Sequence, residues 1–297
     1  MENKGTGSIS IPKVSVIITT HNRLELLKRA IDSVQKQDYC NYELIVVDDA
    51  SVDGTREYCE NQKFNYIYIS QSESKGGNYA RNLGIKVSKG RYCAFLDDDD
   101  YWKDTYLKKM DRLIEEKKCG MVYSGVTYEI KSHDNISYND IIPNACGDLS
   151  TKILFSSFTS TSSMMVEREL LTKVGMFDEK LAAWQDYELI IRIAQQTEIY
   201  NFPEPLMVYR KVEKGGTNVS NKYKVWCDAV RYIHKKHHLL YNKLDQEDQL
   251  RVKDFTWFHA INKARSSGYA FHGYLYVLFR YHFSSVFLKK HSPLLLC

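Results

Sequence analysis

The stretch Gly90-Arg-Tyr-Cys-Ala-Phe-Leu-Asp-Asp-Asp-Asp-Tyr-Trp102 decides how this chain is read. Tyr92 to Leu96 is an apolar run of strand length, and it passes without a spacer into four consecutive aspartates, Asp97–Asp100. A strand this apolar is buried, which forces the aspartates to its carboxyl end. Adjacent carboxylates repel one another unless a cation or ordered donors compensate. Hard ions such as Mg²⁺ and Mn²⁺ take oxygen ligands and often bridge to phosphates. The run therefore points to a divalent-cation site for a phosphorylated ligand. The simpler alternative is a solvated turn, with Asp99 or Asp100 capping a helix that starts near Asp104.

The residues before it repeat the same plan. Val14-Ser-Val-Ile-Ile-Thr is a β-branched run ending in Thr20-His21-Asn22, and Leu24, Leu27, Ile31 and Val34 then share one helical face. Asn22 is placed to cap that helix. A second strand, Glu43-Leu-Ile-Val-Val-Asp48, stops at Asp49-Ala-Ser-Val-Asp-Gly54. Gly54 to Glu60 suits a short helix and Phe64 to Ser70 a third strand. Gly76-Gly77 breaks the chain before a helix from about Asn78 to Val87, which Gly90 is expected to end. Strand–helix repetition of this kind reads as βαβ units in a mostly parallel sheet, an α/β fold with ligands at the carboxyl ends of the strands. Thr19–Asn22, Asp48-Asp49 and Asp97–Asp100 then converge on one rim. Asp49 could accept hydrogen bonds from a base or ribose, although alone it reads as a turn residue. Gly76-Gly77 fits neither a dinucleotide fingerprint nor a P-loop.

Composition narrows the classes. The 297 residues carry 41 Lys+Arg and 37 Asp+Glu, or 41 − 37 = +4, with 43% hydrophobic and 26% charged residues, ordinary globular usage that argues against disorder. Residues 1–210 hold 26 basic and 31 acidic side chains (−5), and residues 211–297 hold 15 and 6 (+9). An acidic body with a basic tail suggests chemistry in the first and an anionic partner for the second. Met1 to Lys13 has no apolar core of signal-peptide length, and no apolar run is long enough to span a bilayer. Seven cysteines, without a CxxC pair, argue against a disulfide framework or zinc knuckle and fit a cytoplasmic location.

Several segments together resemble glycosyltransferase family 2. They are Val14-Ser-Val-Ile-Ile-Thr-Thr-His-Asn-Arg23, Glu43 to Thr55, Asn78-Tyr-Ala-Arg-Asn-Leu-Gly84 and Gly90 to Trp102, followed by Val174-Gly-Met-Phe-Asp-Glu179 and Gln185-Asp-Tyr-Glu-Leu-Ile-Ile-Arg192. The resemblance implies a GT-A fold over about residues 12–210, a nucleotide-diphosphosugar donor and a D-x-D metal motif. It implies that Thr19 and Asp49 contact the uracil of a UDP-sugar, that Arg81 lies near the donor, and that Asn22 belongs to the nucleotide-sugar subsite. Asp97 and Asp99 match the outer aspartates of D-x-D, binding Mn²⁺ or Mg²⁺. The run of four leaves open how ribose and metal contacts divide among Asp97, Asp98 and Asp99. Asp186 matches the general base; the family often has Glu-Asp where this chain has Gln185-Asp186.

Inverting transfer needs only a carboxylate to take the acceptor proton and a cation to offset charge on the leaving diphosphate. Asp186 can equally be an acidic residue favoured at a helix start. Trp184, just before it, suits stacking on an acceptor sugar or an aromatic core. The hydroxyl-rich Phe155 to Ser163 suits an acceptor site or strand and turn filler.

The expected organisation is a GT-A domain over 1–210 and a basic helical extension over 211–297. Residues 211–222 read as a loop able to close over donor, and Val225 to Leu240 and Asp245 to Ala264 read as helices. His234, His237 and His238 have helical spacing but no carboxylate in the motif, so a solvated basic face is expected rather than a metal site. Gly268 to Lys290 suits an interfacial helix at the inner membrane surface or a helix packed on the protein. The acceptor is then a glycan or a lipid-diphosphate-linked sugar, as in bacterial surface polysaccharide synthesis. A sugar nucleotidyltransferase is disfavoured because Thr19-Thr-His-Asn-Arg23 lacks a glycine-rich basic loop. A noncatalytic sugar-nucleotide binder is disfavoured by Asp97, Asp99 and Asp186. No nucleic-acid recognition motif accompanies the basic tail.

Overall fold

A computed structural model describes residues 11–62, 66–132, 135–212 and 223–266. The first strand, β1 (Val14–Thr20), is buried at every residue, as a strand covered on both faces must be. It is followed by α1 (Leu24–Gln35), β2 (Tyr42–Asp48), α2 (Thr55–Glu60), β3 (Ile67–Ser70), α3 (Gly77–Val87) and β4 (Tyr92–Asp97). These four strands pair in the order β3-β2-β1-β4, all parallel. The expected alternation is thus present, with boundaries shifted by one to three residues.

Beyond β4 the chain departs from simple alternation. It forms β5 (Tyr101–Trp102), α4 (Tyr106–Lys117), β6 (Met121–Ser132), β7 (Asn135–Ile141), β8 (Met164–Glu167), α5 (Arg168–Lys173), α6 (Gln185–Ala194) and β9 (Ile199–Val212). The sheet continues β4-β8-β6-β9-β5, with β7 paired to β6, giving nine strands among the described residues. Strand β8 is antiparallel to both β4 and β6, whereas β6 and β9 are parallel over a long register broken near Ser124 and Gly125. Pro203 and Pro205 lie within β9 at that irregularity, where a missing backbone donor is tolerated.

One face of the parallel strands packs on α1 and α4. Leu27, Ala30, Ile31 and Val34 of α1, and Tyr106, Leu107, Met110 and Ile114 of α4, are buried against it. Burial of each such side chain stabilises by roughly 1.5–3 kcal/mol. On the other face Gly84 of α3 lies against Ile17; a Cβ there would meet Ile17 Cγ2 at 2.5 Å. Gly90 has a different role from the helix stop expected of it. The helix α3 ends at Val87, and a Cβ on Gly90 would lie 2.6 Å from the Ser15 backbone nitrogen. The glycine permits close backbone approach before β4 begins. Nor does Asn22 cap α1: the Leu24 amide donates to Asp53 Oδ2 at 2.9 Å.

The chain divides into two compact units. The first gathers the described residues up to Leu149 together with Phe158–Glu179 and Arg192 through β9. The second comprises Ser150–Ser157, Lys180–Ile191 and the helices α7 (Tyr223–Lys236), α8 (His238–Asn242) and α9 (Gln246–Ser266). In the second unit Trp226, Val230, Trp257 and Ala260 form a core with Trp184, Tyr223 and Cys227 packed on it. The expected loop 211–222 lies mainly, and the segment Gly268 to Lys290 wholly, outside the described residues. Among the described residues no helix is long and apolar enough to cross a membrane.

Candidate active site

Strand register brings the polar ends together. Thr19 is opposite Asp97 across β1 and β4, and Thr20 is opposite Asp48 across β1 and β2. Asp97 ends β4, its backbone N–H donating to Ser162 Oγ at 3.0 Å, and the Asp100 N–H returns to the Asp97 carbonyl at 3.1 Å. The four aspartates therefore occupy a tight turn. Trp102 fixes its far side, stacked on Tyr106 at 4.0 Å with its indole N–H donating to the Ser162 carbonyl at 2.7 Å. Thr161, Ser162 and Ser163 are buried, so this part of the hydroxyl-rich stretch serves the turn from within.

Within the turn, burial alternates. The side chains of Asp97 and Asp99 are about one-third exposed (33% and 31%), while Asp98 and Asp100 are each 4% exposed as residues. Asp97 Oδ1 pairs with Arg81 Nη2 at 2.5 Å. Asp98 accepts from Thr20 Oγ1 at 2.8 Å, and Arg23 Nη1 bridges Asp98 and Asp99 at 3.1 Å to each. Arg29 donates to the Asp99 carbonyl at 2.7 Å and lies over the Tyr101 ring. Burial, with the Asp99 charge adding, pushes the Asp98 carboxyl up to about 6 despite Arg23 and Thr20. Burial and the Asp97 charge raise Asp99, and burial with the charges of Asp99 and Asp97 raises Asp100 well above the usual range. Asp100 Oδ1 is buried without a hydrogen-bond partner. The sequence places Thr20 in the polar end of β1 and Ser162 in the hydroxyl-rich stretch without assigning either this role, and it assigns none to Arg23 or Arg29. The signal for Thr20 and Arg23 is their place in the polar end of β1.

Asp49 is 4% exposed and accepts four hydrogen bonds, from Gln71 Nε2, Ser74 Oγ and the Lys75 and Gly76 amides. Asn22, at φ 53°, holds the next turn: its Oδ1 accepts from Val52 N at 2.8 Å and its own N–H donates to Ser51 Oγ. Asn78 and Asn82 of α3 bind the segment 177–179, with Asn82 satisfied by both the Phe177 amide and carbonyl. Arg81, between them, lies over the Phe177 ring.

The second unit holds Asp186 and Trp184. Asp186 is in the first turn of α6 and its Oδ1 accepts from Tyr187 N at 2.8 Å. Trp184, at φ 56°, is ringed by Tyr187, Trp226, Phe255 and His259, with centroids 4.8–5.7 Å away. The expected solvated histidine face is corrected here. His237 is buried with Nε2 2.9 Å from Glu188 Oε1, Glu188 is fully buried, and Lys236 Nζ lies 2.8 Å from the same oxygen. The carboxylate absent from the local motif is supplied by α6, 49 residues earlier. His234 is half-buried against Tyr241, and His238 is exposed.

The family model for glycosyl transferase family 2 matches residues 15–175, which contain all three polar strand ends. The chain belongs to glycosyl transferase family 2. The amylovoran biosynthesis glycosyltransferase AmsB of Erwinia amylovora is 30% identical over 73% of this chain and 77% of its own length. The Escherichia coli UDP-Glc:alpha-D-GlcNAc-diphosphoundecaprenol beta-1,3-glucosyltransferase WfaP is 37% identical over 39% of this chain and 47% of its own. Among solved structures, Staphylococcus aureus TarS 1–349 in complex with UDP-GlcNAc has a TM-score of 0.62 at 20% identity, covering 86% of this chain and 73% of that one. The family's GT-A fold is therefore present, and the protein is a glycosyltransferase.

The residues fit the divalent ion that the family implies. Asp97 and Asp99 are hard oxygen donors, partly exposed at the turn, and their charges raise the proton affinity of Asp100, so a cation is favoured there. No group of three or more His, Cys, Asp or Glu side chains able to hold a metal occurs among the described residues. One or two carboxylates completed by phosphate oxygens and water is the usual way Mg²⁺ is held at nucleotides. A separate cavity of about 610 Å³ opens by Tyr92 at the amino end of β4. Its Arg91 is paired with Glu115 and Glu167, and the aspartate turn does not line it.

Proposed function

We propose that the protein is an inverting transferase that moves a hexose or N-acetylhexosamine from a UDP-sugar to a hydroxyl of a glycan or lipid-diphosphate-linked acceptor. The observation that carries this reading is the turn Asp97–Asp100, fixed by Arg81, Thr20 and Arg23 beside the ends of β1 and β2. Thr19, Asn22, Asp49, Arg81, Asp97 and Asp98 form the proposed nucleotide-sugar subsite, and Asp97 and Asp99 would hold Mn²⁺ or Mg²⁺. When bound, the ion offsets charge developing on the leaving diphosphate. The names of AmsB and WfaP support a place in bacterial polysaccharide synthesis, and WfaP supports a lipid-diphosphate acceptor. Residues 1–210 are the proposed transferase domain and 211–297 its basic extension, which would meet the cytoplasmic face of the membrane.

In the proposed reaction the acceptor oxygen bonds to the anomeric carbon as the bond from that carbon to UDP breaks, and Asp186 takes the hydroxyl proton. The motif around Asp186 and its position at the start of α6 support that role. Trp184 is the proposed acceptor contact, through whatever edge its aromatic neighbours leave open.

Incubation with Mn²⁺ and a panel of UDP-sugars, read as UDP release, tests the reading. Release with at least one UDP-sugar and loss on chelation are expected; pyrophosphate-dependent NTP formation would instead establish a nucleotidyltransferase. Asp99→Ala should weaken Mn²⁺ and UDP binding together in calorimetry. Asp186→Asn should abolish transfer while leaving Mn²⁺-dependent donor binding intact, and normal turnover by the folded variant would remove Asp186 from the mechanism.

A further inference from the structure

A charge inside a protein is costly unless it is paired, and the second unit buries one carboxylate completely. Glu188 is 0% exposed and lies two residues after Asp186, in the first turn of α6. Its Oε1 meets two side chains from one corner of the chain, Lys236 Nζ at 2.8 Å and His237 Nε2 at 2.9 Å. The Lys236 ammonium favours the ionised carboxylate, which is an acceptor only, so the His237 ring donates from Nε2. Lys236 ends α7 and His237 precedes α8. The corner is itself fixed: the His237 amide donates to the Ile233 carbonyl at 2.9 Å, and the His237 carbonyl accepts from the Leu240 and Tyr241 amides at 2.9 and 3.2 Å. Further bonds hold the same turn of α6. The Tyr187 hydroxyl donates to the Leu154 carbonyl at 3.0 Å, and the Glu188 amide to the Trp184 carbonyl at 3.0 Å. Tyr187 through Ile191 are all buried, whereas Asp186 is partly exposed.

We propose that Glu188 and His237 are positioning residues for the transfer step: through them the α7–α8 corner holds the start of α6, and so sets where Asp186 presents its carboxylate. A proton acceptor must stand within hydrogen-bond reach of the hydroxyl it serves, and a misplacement of about 1 Å can cost about a hundredfold in rate. The first turn of a helix frays unless something ties it down. Here the tie is Glu188, and the residues that hold it come from the basic extension, which thereby becomes part of the transfer apparatus. The proposal rests on the reading of Asp186 as the base, but the pairing does not. A pair that served stability alone would lower Tm and leave kcat per folded molecule unchanged. A positioning pair lowers kcat and spares donor binding, since the residues proposed for the donor all belong to the first unit.

The test compares the wild type with Glu188→Gln, His237→Leu and His237→Gln. Leucine removes the ring donor, whereas glutamine returns an N–H near the position of Nε2. With a UDP-sugar that the wild type turns over, read as UDP release, kcat should fall about tenfold or more in Glu188→Gln and His237→Leu, with donor KM unchanged within about twofold. Calorimetry with UDP in Mn²⁺ should likewise give wild-type affinity. His237→Gln should recover kcat to within about threefold of wild type. Amide hydrogen exchange over residues 184–191 should quicken about tenfold in Glu188→Gln and His237→Leu, and stay slow in His237→Gln. Wild-type kcat beside a lowered Tm overturns the proposal, as does loss of UDP affinity in step with kcat. Unchanged exchange over 184–191 overturns it too. Normal turnover by Asp186→Asn, or a wild type that turns over no UDP-sugar, would refute the functional reading and the catalytic half of the proposal with it; exchange would still decide whether the corner holds α6. Should Glu188→Gln not fold, the two His237 variants decide.

Discussion

At the scale of single residues, the type and position of the acidic side chains were legible, and their partners were not. An apolar run ending in Asp97–Asp100 places carboxyls at a strand end by local pattern alone. Arg23 reaches Asp98 and Asp99 across 75 and 76 positions, and Ser162 reaches the Asp97 amide across 65. Such pairings depend on which strands become neighbours, which no short window contains. Asn82 shows how much one of them carries. It is 3% exposed, its Oδ1 accepts from the Phe177 amide, and its Nδ2 donates to the Phe177 carbonyl and Glu179. Asn82→Ala should destabilise by about 2–4 kcal/mol, because it leaves buried backbone groups unpaired. Urea unfolding would register this as a lower midpoint with an unchanged slope.

At the scale of elements, β1 to β4 and α1 to α3 followed from periodicity, because each is short, apolar on a regular repeat and bounded by polar residues. The second half of the sheet did not. Strand β6 mixes Tyr128, Glu129 and Lys131 with apolar residues, and β9 contains two prolines, so neither resembles a buried strand in isolation. Their pairing supplies what their sequences do not announce. The cap of α1 escapes a local reading for a related reason: the Leu24 amide donates to Asp53, 29 positions away, rather than to Asn22. Gly90 offers a test at this scale. Gly90→Ala would press a methyl against the Ser15 amide, which β1 cannot move without disturbing both neighbours. A loss of about 1–3 kcal/mol is expected, read as a lower Tm. An unchanged Tm would show that the approach of Gly90 to β1 is loose.

At the scale of the molecule, the sequence separates an acidic body from a basic tail, and the structure divides the chain into two units, the second joining the helices described in the tail to two short segments of the body. The second unit's core is aromatic and includes His259, against Trp184 and Phe255. Burial, with a smaller contribution from Lys263, lowers His259 from its ordinary 6.5 to about 4. An unfolded chain takes up this proton as pH falls below about 6.5, while the folded one resists until about 4, so unfolding gains protons across that window. His259 therefore contributes stability that is present above pH 6.5 and is lost as pH falls toward 4. Denaturant midpoints at pH 7 and pH 5 should show the decline, and His259→Phe should flatten it.

The aspartate turn also bears on arrival order. Arg23, Arg29 and Arg81 place three guanidinium charges at the turn. Arg81 is paired with Asp97 and Arg23 with both Asp98 and Asp99, so each of these three carboxylates faces a guanidinium. A rim whose composition suggests four negative charges is then close to electroneutral. The proposed nucleoside diphosphate would meet no wall of like charge there that a metal must first cancel, and the proposed metal would meet no deep electrostatic sink able to hold it unaided. Either can come first, each improving the place for the other, and the encounter should respond only weakly to ionic strength.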